Sequence, residues 1–320
     1  MVKLICIVSL LISCASAIAQ NGVTYTALPD APMPCIGGDR ANGINPRGDI
    51  VGRCQDGSGN PNSWVLPKGT STPSFIDFSS APFVPSFGST TRAINAHGDI
   101  VGRYFDNNGH SHGYLLSGGS FTSIDAPFTG TTDTDARGVN NAGTIVGQYD
   151  VPTNIPNFGT LPIPNGFMRD GAGNFTPIHF PNSDATSARG INDSGDVVGY
   201  YVVFTNLQTL ALAVHGFVLS KGVYTSFDAT GAIATIANGV NEQGEIAGSY
   251  VTRALTLKDL GDQLQNAHGY VRSADGSTFT LIDFPGAVST DCRGGFNPRG
   301  QLVGTFVDSM NQEHGFMASQ

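Results

Sequence analysis

An Asn-x-x-Gly turn recurs six times along the chain, at residues 45–48, 95–98, 140–143, 192–195, 241–244 and 297–300. The spacings are 50, 45, 52, 49 and 56 residues, the period of a repeat architecture. In its fullest form the repeat around the turn runs Ala-Arg-Gly-Ile-Asn, the turn, Asp-Ile-Val-Gly-x-Tyr, a loop, His-Gly-Phe-Leu, a Gly turn, and Phe-Thr-x-Ile-Asp-x-Pro. Short runs of β-branched and aromatic residues bounded by Gly, Asn, Asp and Pro predict four strands per copy. Asn and Gly tolerate the left-handed backbone angles of tight hairpins, so the turn joins strand one to strand two. The 42 glycines among 320 residues, about twice the usual ~7% share, are the cost of so many turns.

Four antiparallel strands in about 50 residues predict an all-β fold, a six-bladed β-propeller of four-stranded blades. Only 23 residues follow Asn297, too few for a fourth strand, whereas residues 25–32 resemble the strand-four segment at 121–127. The N-terminal strand is therefore expected to complete the last blade and close the ring. Strand two ends on Tyr104, Tyr149, Tyr201, Tyr250 and Phe306, with Cys54 in the first copy, and these read as core.

Residues 1–19 combine Lys3, an apolar run from Leu4 to Ile12 and the small residues Ala17 and Ala19, which predicts a secretory leader cleaved after Ala19 and a single domain over residues 20–320. Leu11-Ile12-Ser13-Cys14 offers a lipobox alternative that would anchor the chain through Cys14. The expected location is secreted or periplasmic, with lipid anchoring in the envelope as the other reading. No later stretch is apolar for long enough to form a transmembrane segment.

The His-Gly-Phe/Tyr triplets at 112–114, 215–217, 268–270 and 314–316, each preceded by the Asn-x-x-Gly hairpin, resemble the HAF-type extracellular repeat of exported bacterial proteins. The resemblance covers essentially the whole mature chain, with Gly where the family has Ala. It implies export and a repeat fold, and it brings no catalytic residues with it.

With 16 basic against 25 acidic residues and only 13% charged, the chain does not read as a nucleic-acid binder. No Gly-x-Ser-x-Gly, His-Glu-x-x-His, Cys-x-x-Cys or phosphate-binding loop occurs, so no catalytic residue, cofactor or metal is assigned. His112, His215, His268 and His314 open strand three, where Asn62 and Asn165 stand in the other copies, and this favours a structural hydrogen bond over metal ligation. Asp77, Asp125, Asp228 and Asp283 close strand four and read as turn caps.

Near the start of strand one stand Asn42, Arg92, Arg137, Arg189 and Asn238, with Arg293 one place earlier in the last copy. Strand one is innermost in a propeller, so these side chains should crowd the channel mouth. They could form a site for a carboxylate, sulfate or phosphate, or pair with the nearby acids Asp133, Asp135, Asp184 and Asp291. The loop between strands two and three is lengthened in copies three, four and five. It carries Ile155, Phe158, Leu161, Phe204, Leu207, Leu210, Leu255, Leu257 and Leu260. Phe158, Phe204, Leu207 and Leu257 are candidate contacts on a ridge expected beside the arginines, unless the hairpins simply pack on one another. Of the mature cysteines, Cys35 and Cys292 should meet at the ring seam as a disulfide, leaving Cys54 a buried thiol.

These features predict a secreted, non-catalytic binding or interaction module for a glycan, an anionic surface component or a protein. The alternative is a carbohydrate-active hydrolase or lyase with its site at the channel mouth. The enzyme would show non-repeated carboxylates or a Tyr/His pair converging there.

Overall fold

The computed structural model describes residues 17–20, 22–256 and 266–319, and every regular element among them is a β-strand. Most of the expected leader, including Cys14, lies outside the described residues, as do Leu257 and Leu260.

The strands run as antiparallel four-stranded meanders. The first contains Cys35–Ile44, Ile50–Asp56, Pro61–Leu66 and Ser74–Phe75, and the second Ser89–Ile94, Ile100–Phe105, Ser111–Ser117 and Ser120–Ile124. The third contains Asp133–Val139, Ile145–Ile155, Gly159–Arg169 and Phe175–Ile178. The meander of Ala185–Ile191, Val197–Asn206, Ala211–Ser220 and Val223–Phe227 is joined to that of Ala234–Val240, Ile246–Val251, His268–Arg272 and Phe279–Ile282 by one parallel pair, Val214 with Ala234. The last sheet holds Ser289–Asp291, Gln301–Val307 and Glu313–Ser319, and its next strand comes from the other end of the chain. Val23–Ala27 pairs antiparallel with Glu313–Ser319, from Thr24 opposite Ser319 to Ala27 opposite Phe316, and Ala17–Gln20 adds an outer fifth strand.

Each turn asparagine works through its side chain. The Asn45 Oδ1 accepts the Gly48 and Asp49 N–H groups, both at 2.9 Å, while Gly48 takes the left-handed angle at φ 98°. The amide nitrogen then reaches the next copy: Asn95 Nδ2 donates to the Asn140 carbonyl, Asn140 to Asn192, and Asn192 to Asn241, at 3.0–3.1 Å. These bonds tie the second, third, fourth and fifth meanders together through their turns, whereas Asn45, Asn241 and Asn297 donate within their own turns to Asp49, Glu245 and Gln301.

The core lies between neighbouring sheets. Its largest fully buried members are the strand-three aromatics Trp64, Tyr114, Phe167, Phe217, Tyr270 and Phe316, together with Tyr200 of a second strand. The strand-two residues read as core are buried as well, apart from the partly exposed Tyr250. Tyr104, Tyr201 and Phe306 each stack face to face on a phenylalanine of a crossover: Phe83, Phe180 and Phe284, at centroid separations of 3.7–3.9 Å. Each such ring removes apolar area worth about 1.5–3 kcal/mol from water.

The disulfide joins Cys35 to Cys54, with Cα atoms 5.8 Å apart, and not Cys35 to Cys292. Register slips at Cys35/Gly37 and Gly37/Arg40 turn Cys35 back across its own hairpin, onto the strand that carries Cys54. Cys292 is a buried free thiol packed beneath Gly269 of the neighbouring sheet, and burial pushes its pKa well up.

Two carboxyls, the buried Asp39 and the half-buried Asp150, carry a pH dependence. Burial pushes Asp39 up to about 6, against the Ala31 N–H that favours its charged form at 3.0 Å. Burial, and then the facing Asp133, push Asp150 up to about 6. An acid whose folded pKa lies above its unfolded value holds its proton preferentially in the native state. Its stabilisation is full below the unfolded pKa, near 4, and is lost as pH rises through 6. Asp39→Asn should remove on the order of 1–2 kcal/mol of the stability difference between about pH 4.5 and about pH 6.5 in urea unfolding. A pH profile identical to the parent's would contradict this.

Candidate functional site

The pairing of strands one and two slips by one residue at the same place in successive copies: between Ala41 and Gly43, Thr91 and Ala93, Ala136 and Gly138, Ala188 and Gly190, and Ala237 and Gly239. The extra residues are Asn42, Arg92, Arg137, Arg189 and Asn238. In the last copy Asp291 pairs with Thr305 while the Gly294 N–H donates to the Val303 carbonyl at 2.9 Å, so one extra residue falls in the stretch holding Arg293. A β-bulge re-aims a side chain out of the alternating pattern. Here it sends all six into one narrow space of about 30 Å³, which they alone line. The residue after each bulge is small because the inner strands nearly touch. A methyl group on Gly239 would lie 2.5 Å from the Gly295 Cα, and one on Gly294 would lie 3.3 Å from the Gly43 Cα.

The ring holds four guanidinium groups against two carboxylates. Asp135 receives Arg92 through a fork at 3.2 and 2.8 Å, with Arg137 at 3.0 Å and Arg103 at 3.5 Å. Burial pushes the Asp135 pKa upward, but Arg137, Arg92 and Arg103 outweigh it and hold the carboxyl below its ordinary range. Asp291 receives Arg293 at 2.7 Å, the Asn238 amide at 3.3 Å and the Ser249 hydroxyl. Arg189 differs from the other three in facing no carboxylate among the described residues. It donates to the Asn238 Oδ1 at 3.1 Å and lies over the Tyr200 ring at 4.9 Å. The buried Arg189 Nε and Asn42 Oδ1 find no hydrogen-bond partner among the described residues. Asp150 and Glu313 also act electrostatically on Arg137 and Arg293, so Arg189 is the ring cation that an added anion at this buried point would serve best.

A cavity of about 320 Å³ extends from this ring, lined by inner-strand and turn residues of all six copies. It opens among Pro46, Asp193, Glu242 and Gln243 on the face of the Asn-x-x-Gly turns. This corrects the expected placement of the arginines beside the lengthened loops. The bulges fall in the second half of strand one, so the space above them leads toward the tight turns.

The lengthened hairpins pack on one another. Ile155 and Leu255 are buried, Leu161 and Phe204 lie against the cluster of Ile163, Leu212 and Val214, and Leu255 pairs with Leu212 across the gap between copies. Of the candidate contacts, Phe158 and Leu207 are exposed at hairpin tips, while Phe204 is partly covered. No common pocket gathers them with the arginines among the described residues.

The strand-three histidines meet the strand-four aspartates, a pairing that separate readings of the two positions missed. His112 Nδ1 lies 2.6 Å from Asp125, His215 2.9 Å from Asp228 and His268 2.7 Å from Asp283. His314 reaches Asp30 of the N-terminal segment at 3.4 Å, the same pair built from both chain ends. The similar separation of the chain-internal pairs, 13, 13 and 15 residues, was the available signal. Among the described residues no group of three or more His, Cys, Asp or Glu is placed to hold a metal ion. Asp135 and Asp291 are the acids that break the repeat at the channel, and both are held by arginines.

No protein-family model and no curated protein matches the sequence. Solved structures do resemble the fold. A protein of unknown function from Dyadobacter fermentans superposes with a TM-score of 0.55 at 13% identity, covering 94% of this chain and 100% of that one. A putative TolB from Agrobacterium tumefaciens gives 0.54 at 10% identity, covering 88% and 90%. The Aleuria aurantia lectin, in complex with Fucα1-6GlcNAc, gives 0.52 at 10% identity, covering 89% and 93%. TolB and the lectin are β-propellers, and the likeness is one of fold: an all-β chain of antiparallel sheets. Among the described residues no helix is long and apolar enough to cross a membrane.

Proposed function

We propose that the chain is an exported, six-bladed propeller of the HAF-repeat kind and acts as a non-catalytic binding module that seats an anionic group at the centre of its channel. The observation that carries this is the convergence of six side chains, five from bulges of inner strands and Arg293 from just beyond Ser289–Asp291, on one space lined, among the described residues, by four guanidinium groups and no carboxylate. Ring closure is supported by links from the last copy to the first. Arg299 donates to the Pro46 and Arg47 carbonyls at 2.8 and 2.7 Å, and Arg40 forms a fork with Glu313 at 2.7 and 2.6 Å. Export is supported by the leader-like residues 1–19 and by a disulfide suited to an oxidising compartment.

The test is thermal unfolding of the purified chain with millimolar acetate, sulfate, phosphate, neutral sugars and divalent cations. Small anions should raise the melting point saturably, because a ligand that binds only the native state stabilises it by mass action. Arg189→Gln should abolish the shift. A shift by no anion, or one retained in full by Arg189→Gln, would contradict the reading.

A further inference from the structure

The walls of the channel change in chemistry along its length. At the floor the six-residue ring leaves about 30 Å³, room for a group the size of one or two waters. That suits a carboxylate and leaves little for the tetrahedral oxygens of a sulfate or phosphate. Two residues further along the first five inner strands the cavity is lined by Ile44, Ile94, Val139, Ile191 and Val240, and in the last copy by Phe296, three residues past Arg293. This collar carries no charge and no side-chain hydrogen-bonding group. The asparagines above it are already engaged: Asn140 accepts the Thr144 N–H at 2.9 Å and donates to the Asn192 carbonyl at 3.1 Å, and Asn192 does the same toward Asp196 and Asn241. Sugar hydroxyls would find few partners there. The exposed Asp193 and Glu242 at the rim oppose a second negative charge on the outer part of a ligand.

We infer that the channel takes a small amphipathic monocarboxylate, entering from the face of the Asn-x-x-Gly turns with its carboxylate at the arginine ring and its apolar body within the aliphatic collar. The inference rests on the anion-seat reading and adds the ligand's class. The cavity of about 320 Å³ is at the small end of the range for small-molecule sites. On the same scale, one or two water-sized groups per 30 Å³, it accommodates a body of roughly ten to twenty heavy atoms.

Isothermal titration of the purified chain with acetate, butanoate, hexanoate, hexanamide and hexyl sulfate tests it. Affinity should rise about three- to fourfold per methylene from acetate to hexanoate. Hexanamide and hexyl sulfate should each bind at least tenfold more weakly than hexanoate. Arg189→Gln should weaken hexanoate at least tenfold while keeping the increment per methylene. Ile191→Thr should shrink that increment and leave acetate unchanged. Equal affinities for acetate and hexanoate would overturn the amphipathic class and leave the anion seat standing, and tighter binding of hexyl sulfate would overturn the carboxylate. If neither acetate nor hexanoate bound, or if hexanamide matched hexanoate, the anion seat itself would fall. The ligand series is read on the parent protein, so its outcome does not depend on either variant folding.

Discussion

Removing residues 20–32 should abolish cooperative unfolding or lower the melting point by at least about 10 °C. The segment supplies Val23 and Tyr25, each 2% exposed, to the last sheet, where Tyr25 packs edge-on against Phe284 at 5.9 Å. It also supplies the Leu28 N–H donated to Gly315, the Ala31 N–H donated to Asp39, and the Asp30 carboxylate beside His314. Burial of the two side chains alone is worth about 1.5–3 kcal/mol each. The deletion also bares the backbone of Glu313–Ser319 as an unpaired edge. Set against a typical total stability of about 5–15 kcal/mol, a loss above about 5 is a large fraction. At roughly 2–4 °C per kcal/mol for a domain of this size class it gives the stated shift. Calorimetry that found the truncated and full chains melting within a degree or two of each other would contradict the pairing of the two chain ends.

Asp135→Asn should cost about 3–5 kcal/mol, more than the loss of any exposed ion pair, because it leaves buried cations without their counter-ion. Asp135 has a 3% exposed side chain and faces Arg92, Arg137 and Arg103 within 3.5 Å. The substitution keeps shape and volume, so the loss reports charge. Urea unfolding at neutral pH is the measurement, and a change below about 1 kcal/mol would mean that solvent or other groups already neutralise the cluster. Millimolar acetate should restore part of the lost stability, since the ring then has one carboxylate fewer competing for its guanidinium groups.

The strand content, the four-strand unit and the use of the N-terminal segment as the last sheet's fourth strand were legible because each rests on a local signal repeated along the chain. Convergence of Asn42, Arg92, Arg137, Arg189, Asn238 and Arg293 was legible for the same reason. Their aim was not. It depends on a bulge, which appears as one slipped pair between strands and not as a residue type. Read without it, Arg137 belongs to the start of its strand and to the face of the long loops; with it, Arg137 points into a channel that opens among the turns. The disulfide was misread because two register slips, invisible in sequence, bring Cys35 over its own hairpin. Whether Leu161, Phe204 and Leu255 formed a ridge or packed against neighbouring hairpins stayed open, because sequence shows that a loop is apolar but not whether its neighbour lies close enough to cover it.

The most direct measurement is anomalous diffraction from crystals grown with a bromine-labelled short carboxylate such as 6-bromohexanoate. The expected result is a single strong bromine peak inside the channel, amid Ile94, Ile191 and Val240, with the carboxylate in hydrogen-bonding reach of Arg189. A channel without bromine, with the peak at the hairpin tips around Phe158 and Leu207 or elsewhere on the surface, would contradict it.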